Sequence, residues 1–136
     1  YKNNEVKYYG EVTETAQMQK IMDSCDVLVL PSYSEGMPNV IIEAMARGLA
    51  IIATDVGAVN CLVDNNNGWL LDECSVAGIQ EAMIKAINTD AVTLFKMKQC
   101  SLEKIQKNFL NTESVLLSWH VKNTIGNANR PGLLKQ

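Results

Sequence analysis

Two short runs that are apolar at every position, Val27-Leu-Val-Leu30 and Ala50-Ile-Ile-Ala53, constrain this chain more than any other feature. A strand with one face in water alternates apolar and polar side chains, so a run without alternation has both faces covered. Between the two runs lies Pro38-Asn-Val-Ile-Ile-Glu-Ala-Met-Ala-Arg47, closed by Gly48. Proline at a helix start fixes φ where no amide partner is needed, and glycine just past the end takes the left-handed turn that stops the helix. Strand, helix, strand in that order implies a parallel pair joined by a crossover. The expected fold class is α/β, a parallel sheet with flanking helices.

The rest of the chain extends the alternation. Val6–Tyr9, ended by Gly10, reads as a first strand. Residues 15–24 read as a helix with Ala16, Met18, Ile21 and Met22 inward and Thr13 or Thr15 as its cap. Asp26–Leu30 is stopped by Pro31 and Ser32, and Ala50–Thr54 runs into the loop Asp55–Ala58. A turn at Asn65–Gly68 precedes a last strand, Trp69–Leu71. Ser75–Asn88, Ala91–Asn108 and Thr112–Thr124 read as C-terminal helices, the first with Ile79, Met83, Ile84 and Ile87 at spacings of three and four. Residues 1–125 thus form one unit, and residues 126–136 a polar tail.

Composition narrows the function. A chain of 136 residues holds one domain at most, and 47% hydrophobic with 20% charged residues is enough to build a packed core. Lys and Arg number 12 against 15 Asp and Glu, so no basic excess exists to neutralise nucleic-acid phosphates. No apolar run approaches the roughly 20 residues that cross a bilayer, so a soluble protein is expected. The four cysteines form no C-x-x-C pair or zinc spacing and read as reduced, mostly buried thiols. The single histidine, His120, has no carboxylate near it in sequence, and no triad or metal role rests on it.

In open α/β sheets, ligands bind beyond the carboxyl ends of the strands. The richest such loop is Pro31-Ser-Tyr-Ser-Glu-Gly-Met-Pro38, because it runs directly into a helix start. Free amides and the positive end of the helix dipole favour an anion there, phosphate above all. Pro38 has no amide proton, so Gly36, Met37, Asn39 and Val40 would supply the donors. Glu35 and Glu43 bracket that start, eight residues apart. Glu35 can serve the helix dipole or accept bonds from ligand hydroxyls. Glu43 sits in an otherwise apolar helix, where a buried carboxylate is costly unless a partner such as a vicinal diol satisfies it.

The stretches Asp26-Val-Leu-Val-Leu-Pro-Ser-Tyr-Ser-Glu-Gly-Met-Pro-Asn-Val-Ile-Ile-Glu-Ala-Met-Ala-Arg-Gly48 and Ile51-Ile-Ala-Thr-Asp-Val-Gly57 closely resemble the donor-binding domain of retaining glycosyltransferases of family 4. Glu35 to Glu43 matches that family's E-x7-E signature. The resemblance implies a GT-B architecture, of which residues 1–125 would be part of the C-terminal, Rossmann-like, nucleotide-sugar-binding domain. It implies that Glu35, the candidate catalytic residue, faces hydroxyls of the transferred hexose, and that Glu43 holds the ribose diol. Gly36, Met37, Pro38, Asn39 and Val40 would meet the diphosphate and sugar, and Gly10 and Val12 the base through their backbone. The implied substrate is a UDP-, GDP- or ADP-sugar, with no cofactor and no metal.

Departures qualify that implication. Some family members carry glycine where this chain has Pro38. The Gly-Arg…Lys-Gly stretch whose cations neutralise the departing diphosphate is missing, and each lost contact of that kind costs on the order of 10² to 10³ in rate. The acceptor-binding domain is also outside these residues, so the expected molecule is an N-terminally truncated glycosyltransferase that turns over poorly alone. It would take a saccharide or lipid-linked acceptor through the missing domain, in the cytoplasm or at the cytoplasmic membrane face, in polysaccharide synthesis. The alternative is a non-catalytic nucleotide-binding or assembly module acting with a partner chain. With the strands that should flank it absent, Val6–Tyr9 lacks a neighbour and would pair directly beside Asp26–Leu30 or across a dimer formed through the exposed strand edge.

Overall fold

The computed structural model of the chain describes residues 6–109. The elements run α1 (Thr15–Asp23), β1 (Val27–Leu30), α2 (Asn39–Ala46), β2 (Ala50–Thr54), α3 (Val59–Leu62), β3 (Gly68–Leu71), α4 (Val76–Ile87) and α5 (Ala91–Phe109). The strands form one parallel sheet in the order β1-β2-β3, with Val29 opposite Ile52 and Ile52 opposite Trp69. This is the expected α/β sheet with flanking helices.

Every residue of the central strand β2 is buried, whereas β1 is half-buried throughout. The difference follows from position, since among the described residues β1 pairs with β2 alone. Ile51 and Ala53 of β2 share one core with Ile41, Ala44 and Met45 of α2 and with Ile105 of α5. Ile52, on the opposite face, packs with Leu71 and with Ala82 of α4. Val59 and Leu62 of α3 join the first core, so α2, α3 and α5 cover one face and α4 the other. Burying each large aliphatic side chain contributes about 1.5–3 kcal/mol, which fixes the register of β2 on both sides.

Helix ends obey the sequence with small shifts. Pro38 is the cap residue of α2 rather than its first helical residue, and Gly48 follows the helix with φ +70. Ser75 caps α4, its Oγ accepting from the Gly78 amide at 3.1 Å. On α1 the cap position falls to Glu14, without a side-chain bond, so neither Thr13 nor Thr15 caps it.

Two further expectations fail. Val6–Tyr9 forms no strand and its residues are exposed, because among the described residues no strand lies beside it to complete a ladder. The cysteines are not buried: Cys25, Cys74 and Cys100 are half-buried and Cys61 is exposed. The helix read over Ser75–Asn88 is present as α4; Met83, Ile84 and Ile87 lie on its exposed face, while Ile79, Ala82 and Ala86 face the sheet. Thr112–Thr124, His120 and residues 126–136 lie outside the described residues.

A polar joint ties the turn before β3 to α5. Asn67 is fully buried; its Nδ2 donates to Leu62 O at 3.1 Å and Ser101 Oγ at 3.4 Å, and its Oδ1 accepts from the Asp64 amide and from Lys104 Nζ. Lys104 also pairs with Asp64 at 2.8 Å. Burial pushes the Asp64 carboxyl up, but the Lys104 hydrogen bond, the Asn66 amide and the Lys104 charge outweigh it and hold it below its ordinary value. Nearby, burial raises the Cys100 thiol, with Asp64 and Glu103 adding to the effect and Lys104 opposing it.

Candidate functional site

Parallel strands leave the sheet at the same edge, so the loops after β1, β2 and β3 meet there. The segment Asp72–Ser75 reaches across that edge, with Cys74 Sγ donating to Pro31 O at 3.0 Å. The loop after β2 touches the loop after β1 through backbone, where the Ala58 amide donates to Gly36 O at 2.9 Å. Beneath them Thr54, at the end of β2, is buried with no hydrogen-bond partner for its hydroxyl.

Glu35 is half-buried in the Pro31–Pro38 loop, and its Oε1 accepts from Ser32 Oγ at 2.6 Å. That is the short range of a bond to an ionised acceptor, and it orients one carboxylate oxygen while leaving lone pairs for a ligand. Among the described residues, the amides of Gly36, Met37, Asn39 and Val40 donate no hydrogen bond, whereas Ile41 and Ile42 donate to Pro38 O. A Cβ built on Gly36 would meet nothing within 4 Å, so a ligand can approach that backbone closely. Pro38 is buried, Met37 and Asn39 are exposed, and Val40 is half-buried. The loop therefore presents unpartnered donors and a held carboxylate on one open surface.

Glu43 departs from expectation. It is exposed, because the buried side of α2 is formed by Ile41, Ala44 and Met45, and Glu43 falls on the outer side with Asn39, one turn earlier. The cost of a buried carboxylate therefore gives no reason for its presence. No hydrogen bond or ion pair among the described residues joins Glu43 to Glu35. Gly10 has φ +66 in open space, Val12 is half-buried, and no hydrogen bond links either to the Pro31–Pro38 loop.

Two residues escaped the sequence reading as parts of this site. Ser32 was legible only as a strand stop, although a hydroxyl three residues before a carboxylate in a turn can reach it. Gly57 has φ +58, and a Cβ there would lie 2.0 Å from Glu35 O. Its glycine signals a special backbone, but the neighbour that requires it is 22 residues away in sequence. Among the described residues no group of three or more His, Cys, Asp or Glu could hold a metal ion, and no helix is long and apolar enough to cross a membrane.

TuaC of Bacillus subtilis, named for teichuronic acid biosynthesis, is 41% identical over 69 residues, covering 51% of this chain and 18% of its own. The UDP-Gal:alpha-D-GlcNAc-diphosphoundecaprenol alpha-1,3-galactosyltransferase of Escherichia coli is 36% identical over 81 residues, covering 59% and 21%. The chain thus spans about a fifth of the length of these relatives. Among solved structures, the C-terminal domain of a glycosyl transferase group 1 family protein, LpcC, from Francisella tularensis superposes with a TM-score of 0.63. It is 26% identical, over 76% of this chain and 53% of that one. TarM of S. aureus, solved with fondaparinux, alpha-GlcNAc-glycerol and UDP, gives a TM-score of 0.63 at 27% identity, over 79% and 22%. The family model described as "Glycosyl transferases group 1" matches residues 1–89 of the 136, and the chain belongs to that family.

Proposed function

We propose that the chain is the donor-binding part of a retaining glycosyltransferase. It holds a UDP-, GDP- or ADP-sugar at the carboxyl edge of the sheet for transfer of the hexosyl group to a saccharide or lipid-linked acceptor. The observation that carries this reading is the row of unpartnered amides at the start of α2 beside a carboxylate oriented by Ser32.

Each residue has a part in it. Glu35, through the oxygen lone pairs that Ser32 leaves free, accepts hydrogen bonds from hexose hydroxyls. The amides of Gly36, Met37, Asn39 and Val40, at the positive end of α2, meet the diphosphate, and Pro38 fixes the turn between them. Glu43, one turn along the exposed side, accepts both hydroxyls of the ribose diol. Gly10 and Val12 meet the base through their backbone. As the bond from the anomeric carbon to the diphosphate breaks, negative charge gathers on the departing phosphate, and donors aimed at it lower the barrier. The work is placed on the cytoplasmic side, in solution or at the membrane face. TarM, solved with UDP, supports a nucleotide as the ligand class.

Calorimetry with UDP, GDP and ADP on the wild type and on Glu43→Ala tests the ribose contact. Losing a carboxylate that accepts two hydroxyl bonds should weaken the preferred nucleotide about tenfold or more, because bonds to charged groups contribute ~1.5–3 kcal/mol. Indistinguishable isotherms for the two proteins would remove Glu43 from the site.

A further inference from the structure

We propose that Gly57 is a positioning residue for the donor site: its bare backbone seats the loop after β2 against the Glu35–Gly36 peptide and thereby sets where the Glu35 carboxylate stands. The inference rests on the reading of Glu35 as the group that meets the sugar. A Cβ at Gly57 would lie 2.0 Å from Glu35 O, 2.8 Å from Glu35 C and 2.8 Å from Gly36 O. All three are backbone atoms, so no side chain can rotate away to make room. The next residue fastens the same contact, since the Ala58 amide donates to Gly36 O at 2.9 Å.

Gly10 is the instructive contrast. It shares the positive φ, at +66, but a Cβ there meets nothing within 4 Å. Its glycine answers only to backbone conformation, whereas Gly57, at φ +58, answers to conformation and to a neighbour. Gly36, whose carbonyl takes part in the contact, is itself exposed, and a Cβ there meets nothing within 4 Å. The peptide is thus backed by Gly57, the Gly36 Cα has room for a ligand, and Ser32 holds the carboxylate itself. Alanine at 57 would require the Glu35 peptide to retreat by about 1 Å, and a misplacement of that size at a reacting group can cost on the order of 10² in rate.

The test uses the 136-residue chain in four forms: wild type, Gly57→Ala, Glu35→Gln and Gly48→Ala, the last a control with a similar φ of +70 at the far end of α2. Affinities for UDP-glucose, GDP-mannose and ADP-glucose are measured against UDP, GDP and ADP, and the ratio of sugar-nucleotide to nucleotide affinity is the readout. Gly57→Ala and Glu35→Gln should each lower that ratio tenfold or more for the preferred base, while Gly48→Ala lowers the melting temperature and leaves the ratio alone. In ligand-free amide spectra, Gly57→Ala should shift Glu35 and Gly36 and release the Ala58 amide to exchange, with β3 and α5 unmoved. If Gly57→Ala does not fold, Gly57→Asn, which tolerates positive φ but keeps a Cβ, must give the same results. A ratio lowered by Glu35→Gln but not by the Gly57 variant would overturn the positioning role and leave the sugar contact standing. A ratio unchanged in both would overturn the sugar contact, and unmoved Glu35 and Gly36 peaks would overturn the positioning role without any ligand.

Discussion

Ser32 and Glu35 show how little sequence a held carboxylate needs. A hydroxyl three residues upstream supplies one short bond, and that bond holds one carboxylate oxygen while leaving lone pairs for a ligand. Ser32→Ala should leave the fold intact, since Ser32 is only half-buried and belongs to no strand or helix. It should weaken a bound nucleotide-sugar by up to about tenfold, the low end for a hydrogen bond to a charged group in a site that water still reaches. Titration with the preferred nucleotide-sugar reads the loss; an unchanged affinity together with an unchanged melting temperature would show that Glu35 finds its orientation without the serine.

At the level of elements, α2 and α4 show where periodicity informs and where it misleads. The bounds of α2 were legible because Pro38 and Gly48 act through their own backbone geometry, which no tertiary contact can override. Its inner face was less so: an unbroken Val-Ile-Ile run gives no hint that Glu43 stands outside. On α4 the spacing of the large apolar residues identified a helix but not its buried face, which is formed by Ile79 and the small side chains Ala82 and Ala86. Met83, Ile84 and Ile87 are left 44%, 50% and 78% exposed. Ile87→Lys should therefore change the urea unfolding free energy by no more than about 0.5 kcal/mol. Ala82→Leu should cost about 1–3 kcal/mol by overpacking, and equal effects from the two substitutions would contradict this orientation. The strands β1 and β2 were legible for another reason, since unbroken apolar runs have one economical location. Val6–Tyr9 was not, because a β-prone segment becomes a strand only when a partner edge is present. The meeting of Gly57 with Glu35 lay beyond any reading of local sequence, since two crossing loops create it.

Across the whole molecule, the joint between the turn at Asp64–Asn67 and α5 is where charge and stability are coupled. Asp64 is held below its ordinary value of 3.8, the raising effect of burial being outweighed by Lys104 and the Asn66 amide. A carboxyl depressed in the folded state binds its proton more readily when unfolded, so stability rises with pH across the interval between the two values. The contribution of Asp64 is complete above about its unfolded value and is lost as pH falls through the folded one. Asp90, held low by its hydrogen bonds to Thr93, and Glu81, held low by Lys85, act in the same direction from exposed positions. Because Asp64 is 47% exposed, solvent screens the pair with Lys104 and its share should stay below about 1 kcal/mol. The urea midpoint of the wild type should be level from neutral pH to about pH 5 and then decline. Asp64→Asn should lower the neutral midpoint and flatten the decline, bringing the two curves together near pH 2. Parallel curves at all pH would assign the acid loss to carboxylates other than Asp64, and would mean that the buried amide of Asn67, rather than the ion pair beside it, is what fastens α5 to the sheet.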